Sequence, residues 1–189
     1  MTTILKIGGS LEADPVRLGA LLTEAAAGVH GRCVVVPGGG AFAEAVRADQ
    51  IRDGFDDAEA HRRALDAMGR MADFFRSLEP RLTHSVEPWA DTAAASVWDP
   101  ATLRAGHPEI PESWDVTSDS LALWLATRLR AGRCVLVKSA DAWADEAPAL
   151  LARRGLVDAA FPAFAARYGG PIEIWGPTKQ VTLRQRVAA

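Results

Sequence analysis

Lysine is almost missing from this chain: Lys6, Lys138 and Lys179 are the only three among 21 basic side chains, the rest being arginine. Cysteine is scarcer still. Cys33 and Cys134 each open an apolar run, Cys-Val-Val-Val and Cys-Val-Leu-Val. That setting suits small buried hydrophobes kept reduced and excludes a disulfide framework. There is no surplus of positive charge either, the formal net charge being −3. The basic footprint expected of a nucleic-acid binder is therefore absent. No apolar run approaches the roughly 18 to 20 residues that span a bilayer. The first residues carry no basic stretch followed by an apolar segment and a small-residue cleavage site. These absences predict a cytoplasmic protein without a membrane partner. Low-complexity stretches and internal repeats are lacking too, and 49% hydrophobic with 24% charged residues excludes the disordered and fibrous classes. At 189 residues the chain is expected to form one domain with its own core.

The places where lysine does occur are informative. Ile4 to Ile7 reads as a short buried strand carrying Lys6 and breaking into Gly8, Gly9 and Ser10. Glycines lacking Cβ let backbone N–H groups turn toward an oxyanion, and an ammonium on a flexible stem is a good point charge for a phosphoryl group. A plain edge strand with a Gly-Gly turn explains the same residues about as well when they are taken alone.

Further along, Asp14-Pro15 is an N-cap followed by proline at the first helical position, and leucines at 18, 21 and 22 follow at helical spacing. Cys33 to Pro37 is a continuous apolar run of the kind found in central parallel strands, and it runs straight into Gly38-Gly39-Gly40. A short helix from Ala41 to about Gln50 is expected next. Asp56 with Glu59 reads as a capping box that opens the longest helix, which ends at Leu78 before Pro80. Its Met68, Met71, Phe74 and Phe75 suit a core face better than a pocket or interface lining. His61 has no second ligand at metal spacing and reads as a surface or supporting residue.

Residues 81–112 are the least regular, with short apolar clusters such as Ala95 to Trp98 and a helical turn opened by Asp99-Pro100. The stretch Pro111-Glu-Ser-Trp-Asp-Val-Thr-Ser-Asp-Ser120 leads into a clear helix that Gly132 ends. Arg133 to Lys138 is a second buried-type strand with Ser139 to Trp143 as its exit loop. Helices over Glu146 to Arg154 and Asp158 to Tyr168, a strand at 171–175 and a last strand from Val181 to Val187 complete the pattern. Strands alternating with helices predict an α/β domain with a mostly parallel sheet, whose site lies at the carboxyl ends of the strands.

Three strand ends and one helix start thus share a character. Gly8, Gly9, Ser10, Gly38, Gly39 and Gly40 supply backbone donors, Lys6 and Lys138 supply ammonium groups, and Asp115 and Asp119 supply carboxylates beside Thr117 and Ser118. Phosphoryl transfer calls for such a set, because its transition state spreads negative charge that positioned cations must meet. Ordinary helix capping accounts for some of it, yet Asp-Val-Thr-Ser-Asp-Ser holds more capping side chains than one helix uses.

In combination, Lys-Ile-Gly-Gly-Ser at 6–10, Val-Val-Pro-Gly-Gly-Gly at 35–40, Thr-Ser-Asp-Ser-Leu-Ala at 117–122 and Val-Leu-Val-Lys-Ser-Ala-Asp at 135–141 resemble the amino acid kinase superfamily, in its order and at its separations. The resemblance implies a three-layer αβα sandwich, with residues 1–132 as the acceptor-binding half and 133–189 as a shortened nucleotide-binding half. It implies ATP and Mg²⁺ as cofactors and a small-molecule acceptor bearing a carboxylate or phosphate, in a homo-oligomer. Lys6 matches the lysine that stabilises the transferring phosphoryl, Asp119 the aspartate that organises the lysines, and the glycines those around phosphates and acceptor. Lys138 and Asp141 match the loop that starts the nucleotide half, and Ser139, Trp143 and Lys179 are assigned to the nucleotide with Asp141. Asp115, Thr117 and Ser118 are assigned to the acceptor, and no metal-ligand set is expected. The C-terminal half lacks an obvious glycine-rich adenine loop followed by a second lysine, so Lys138 is expected in that role, with Lys179 as the outside candidate. This leaves a non-catalytic anion- or nucleotide-binding protein on the same fold as the alternative. The short length, the 111–120 stretch and Trp98-Asp99-Pro100 look most like the small kinases of methanofuran-type cofactor synthesis, which phosphorylate an aminomethylfuran methyl phosphate. For such an acceptor Asp115 or Glu112 would meet the ammonium and Trp114 would cover the ring.

Overall fold

The structure, a computed structural model, describes residues 1–183. Seven strands form one sheet: β1 (Thr2–Ile7), β2 (Arg32–Pro37), β3 (Thr83–Ser85), β4 (Ala95–Trp98), β5 (Arg133–Val137), β6 (Ile172–Trp175) and β7 (Gln180–Leu183). Their order is β3-β4-β2-β1-β5-β6-β7, and only the β6–β7 pair is antiparallel. The helices are α1 (Pro15–Ala26), α2 (Gly40–Asp53), α3 (Asp57–Leu78), α4 (Ser118–Arg128), α5 (Pro148–Arg153) and α6 (Phe161–Tyr168), with 3₁₀ turns at Gly9–Ala13 and Pro100–Ala105.

β1, β2 and β5 are buried almost throughout, so after their polar first residues they carry apolar runs rather than alternation, interrupted only by Lys6 in β1. Side chains still alternate between faces, and that parity organises the molecule. Ile4, Val34, Val36, Cys134 and Leu136 pack on one face against α4 and α6. Leu5, Ile7, Cys33, Val35, Val135 and Val137 pack on the other against the leucines of α1. Helix α3 serves both cores, through Leu65 and Met68 in one and Met71, Ala72 and Phe75 in the other. The core reading of that helix holds for Met71 and Phe75, while Met68 belongs to a core and also lines a cavity.

Local signals explain several boundaries. Asp14 and Asp56 accept the backbone N–H of Arg17 and Glu59, as N-caps do. Other boundaries moved. Helix α5 begins at Pro148 rather than Glu146, because the Glu146 carboxylate turns inward to accept from the Trp143 N–H and from Arg154. Helix α6 begins at Phe161 rather than Asp158, whose carboxylate is drawn away to α4. Residues 81–112 contain two strands, β3 and β4, that are too short to show periodicity. The last strand runs over Gln180–Leu183, and the remainder of the predicted 181–187 strand lies outside the described residues.

Candidate active site

Parity places the two lysines. Lys6 shares the face of Ile4 and stands opposite Val36 and Leu136 in the neighbouring strands. Lys138 continues the Cys134 and Leu136 side of β5 one step past the strand end. Both ammonium groups thus point to the face covered by α4, whose first turn carries Asp119. Lys138 Nζ lies 2.7 and 2.6 Å from the two Asp119 oxygens, and Lys6 Nζ lies 2.8 Å from Oδ1. All three side chains are buried.

Burial alone would push the Asp119 carboxyl up, but the charges of Lys138 and Lys6 and their hydrogen bonds overcome it and hold it at about 2. Burial also pulls the Lys138 ammonium down to about 8, with the neighbouring Lys6 charge adding to that and Asp119 opposing it. Two cations on one anion leave a net positive charge in a desolvated place, a suitable setting for a polyanion.

Helix α4 has no cap from its own Thr117 side chain. Asp158, 41 residues away from Thr117, performs that task. It accepts from the backbone N–H and hydroxyl of Thr117 at 2.8 Å each, from the Ser120 N–H at 3.0 Å and from the Ser120 hydroxyl. Burial and the nearby Asp119 charge raise its carboxyl, while these donors oppose the shift. Asp158 therefore fixes the turn that presents Asp119. Sequence reasoning missed this role, placing Asp158 as the first residue of its own helix. No local signal pointed to it, because the α4 start already carries Thr117, Ser118 and Asp119 as capping residue types.

The glycine loops after β1 and β2 lie against each other. A Cβ on Gly9 would run into the backbone N and Cα of Gly40. Gly40 itself has φ +51°, and a Cβ there would meet the Glu12 carboxylate and the Met71 methyl. Glu12 is a second residue that sequence reasoning missed: its carboxylate accepts the Ala41 N–H at 2.9 Å, so the N-terminus of α2 is already capped by the chain's own anion.

Beside these loops opens a cavity of about 370 Å³. Gly9, Ser10, Gly38, Gly39, Gly40, Thr117 and Ser118 line one side of it. Leu65, Met68 and Leu121 give it an apolar wall, and Trp114 and Arg47 stand at another side. The Arg47 guanidinium lies 3.7 Å from the Trp114 ring centroid, and Trp114 Nε1 donates to Gln50 Oε1 at 2.7 Å. His61, expected at the surface or as a supporting residue, is buried and lines the cavity; its Nδ1 lies 3.2 Å from the Ser113 carbonyl, and burial lowers its pKa. Asp115 is exposed and is not among the lining residues, and Glu112 is paired with Arg62 at 2.8 Å.

The loop leaving β5 is tied at several points. The Ser10 hydroxyl donates to Ser139 Oγ at 3.0 Å. Arg17, unforeseen from sequence, donates to the carbonyls of Lys138, Trp175 and Gly176 at 3.0, 3.0 and 2.8 Å. Asp141 accepts from the N–H groups of Thr178 and Lys179 at 3.0 and 3.1 Å, so it braces the β6–β7 turn. The Lys179 side chain is exposed in that turn, apart from the buried trio.

Comparison with known proteins gives this arrangement a context. The Archaeoglobus fulgidus uridylate kinase superposes with a TM-score of 0.64 at 19% identity, covering 98% of this chain and 92% of its own. The Ureaplasma parvum UMP kinase does so with a TM-score of 0.67 at 10% identity, covering 98% and 99%.

The fold is that of the amino acid kinases.

In sequence, the chain is 24% identical over 149 residues to the [5-(aminomethyl)furan-3-yl]methyl phosphate kinase of Methanocaldococcus jannaschii, a match covering 77% of this chain and 69% of that protein. No family model matches. Within this fold, the Lys6–Asp119–Lys138 cluster stands next to the glycine loops and the α4 start that line the cavity, and Ser10 of that lining also meets Ser139 of the loop leaving β5. Among the described residues no helix is long and apolar enough to cross a membrane.

Proposed function

We propose that the chain is an ATP-dependent small-molecule kinase in which the acceptor occupies the cavity and the donor lies against the loop after β5. The observation that carries this reading is the buried Lys6–Asp119–Lys138 cluster at 2.6 to 2.8 Å, placed beside a cavity of metabolite size. An acceptor oxygen attacks the γ-phosphorus, the bond to the bridging oxygen breaks and ADP leaves. Lys6 and Lys138 stabilise the charge on the phosphoryl oxygens as Asp119 holds both ammonium groups in register. Kinase relatives in sequence and in fold support a phosphotransferase.

In this reading residues 1–132 form the acceptor half and 133–189 the nucleotide half. A magnesium ion, if carried on the donor's phosphates, would supply charge neutralisation there. Both Asp119 oxygens are engaged by lysines, and no group of three His, Cys, Asp or Glu side chains that could hold a metal occurs among the described residues.

The acceptor is an anionic metabolite, and an aminomethylfuran methyl phosphate suits the walls. Trp114 and the apolar side chains cover a ring, the Gly38–Gly40 loop faces its phosphate, and Glu12 or Glu44 meets the ammonium in place of Asp115 and Glu112. Incubation with Mg·ATP and a panel of phosphorylated acceptors tests this: acceptor-dependent release of ADP supports it. A second reading, a non-catalytic anion or nucleotide binder, draws on the missing glycine-rich adenine loop in the C-terminal half. It predicts nucleotide binding without ADP release under the same conditions.

A further inference from the structure

Lys138 stands one residue beyond the last rung of β5, which pairs Val137 with Trp175. Its N–H still donates to the Trp175 carbonyl at 2.9 Å, as a parallel ladder requires. In that register the next donor, the one facing the Lys138 carbonyl, would be the N–H of residue 177. Residue 177 is proline and has none. The sheet therefore releases the Lys138 backbone halfway through the residue whose ammonium must stay on Asp119.

Arg17 takes the place of the missing donor. Its Nη1 donates to the Lys138 carbonyl at 3.0 Å, and its Nη2 donates to the Trp175 and Gly176 carbonyls at 3.0 and 2.8 Å. Because the Trp175 carbonyl also accepts the Lys138 N–H, the guanidinium closes a ring that holds the peptide groups on both sides of the Lys138 Cα. A planar fork spans two carbonyls in this way and an ammonium does not. The fork is itself fixed, since the Asp14 cap of α1 accepts the Arg17 N–H at 3.1 Å. Helix α1 packs on the sheet face opposite α4, so the lysine is gripped by its backbone from one face and presents its ammonium on the other.

We propose that Arg17 is a positioning residue for phosphoryl transfer, acting through the Lys138 backbone to keep the Lys138 ammonium on Asp119. This rests on the kinase reading above and concerns the chemical step, with neither substrate touched by Arg17.

The test compares wild type, Arg17→Lys and Arg17→Ala as full chains, with denaturant unfolding to set the folded fraction. Turnover is measured with Mg·ATP and an aminomethylfuran methyl phosphate, and ADP binding by calorimetry. In Arg17→Ala kcat is expected to fall by about tenfold to 10²-fold, the scale of a small misplacement of a reacting group. ADP affinity and the acceptor KM stay near wild type, Arg17→Lys recovers only part of kcat, and free guanidinium at sub-denaturing concentration restores Arg17→Ala but not Lys138→Ala. A second readout does not need turnover. The chain has only three lysines, so NMR of ¹³C-lysine-labelled protein follows Lys138 directly. Lys138 faces Lys6 from β1 and Asp119 from α4, with Asp158 near, and burial holds its charge loss at about 8. Released from that place in Arg17→Ala, its titration moves to higher pH. A kcat that falls only with the folded fraction, and a Lys138 titration that does not move, overturn the proposal and leave Arg17 a stabilising brace. A loss that falls on ADP affinity also overturns it, placing the guanidinium on the donor. A wild type that releases no ADP with this acceptor while the Lys138 titration still shifts in Arg17→Ala defeats the kinase reading and the catalytic part of the proposal, and confirms the hold of Arg17 on Lys138.

Discussion

Lys138 Nζ sits between both carboxylate oxygens of Asp119, at 2.7 and 2.6 Å, while Lys6 reaches the same carboxylate from the adjacent strand at 2.8 Å. One anion thus aligns two cations that parallel pairing and strand parity had already set on one face. The consequences can be measured.

The first concerns pH. Burial, with the Lys6 charge beside it, holds Lys138 at about 8, below its ordinary 10.5. Its charge therefore begins to be lost as pH rises through about 8, and kcat should fall there. Lys138→Arg, whose guanidinium stays charged, should be slower overall yet lack this alkaline limb. Stability moves the other way for this group. Between about 8 and 10.5 the unfolded chain binds the proton that the folded one has released, so the Lys138 contribution to stability rises with pH in that window. For Asp119, held at about 2 against 3.8, the contribution is present above 3.8 and is lost as pH falls toward 2. A pH–kcat profile and a pH series of denaturation midpoints separate the two effects.

Asp158→Asn should reduce both stability and activity. An amide replaces one acceptor oxygen by a donor facing the Thr117 and Ser120 donors that the carboxylate satisfies. A loss of about 1–3 kcal/mol is expected in denaturant unfolding. Because Asp158 acts through the turn that presents Asp119, kcat should fall more than KM for the acceptor changes.

Gly40→Ala should be more damaging than a glycine-to-alanine change in an ordinary loop. The backbone there is left-handed, and the added methyl would enter space held by Glu12 and Met71. Equilibrium unfolding should show a cost of about 1–3 kcal/mol. Gly28→Ala, also left-handed but with open space around it, is the control for conformational strain alone and should cost less.

Much of this was legible in the sequence because it is local. Glycines directly after apolar runs, lysines at two strand ends and an over-supplied helix start each announce themselves within ten residues, and parity does the rest. The partners that are now seen to hold the site in place were not legible. Asp158, Arg17 and Glu12 act across 41, 121 and 29 residues respectively, satisfying backbone groups that no local pattern connects to them. Asp158 was placed within the start of its own helix, whereas its carboxylate answers the stronger demand of α4. Asp115 was placed on the acceptor for its position beside Thr117, but a side chain two residues before the cap turned outward.

The measurement that bears most directly on the central claim is acceptor-dependent ADP release from Mg·ATP, compared between wild type and a folded Lys6→Ala variant. The account predicts turnover by the wild type and a fall in kcat of about 10²-fold or more in the variant, the scale expected for removing one preorganised charge from the transition state. Equal turnover by the two proteins would remove Lys6 from the chemistry, and nucleotide binding without any ADP release across the acceptor panel would contradict the assignment of a kinase.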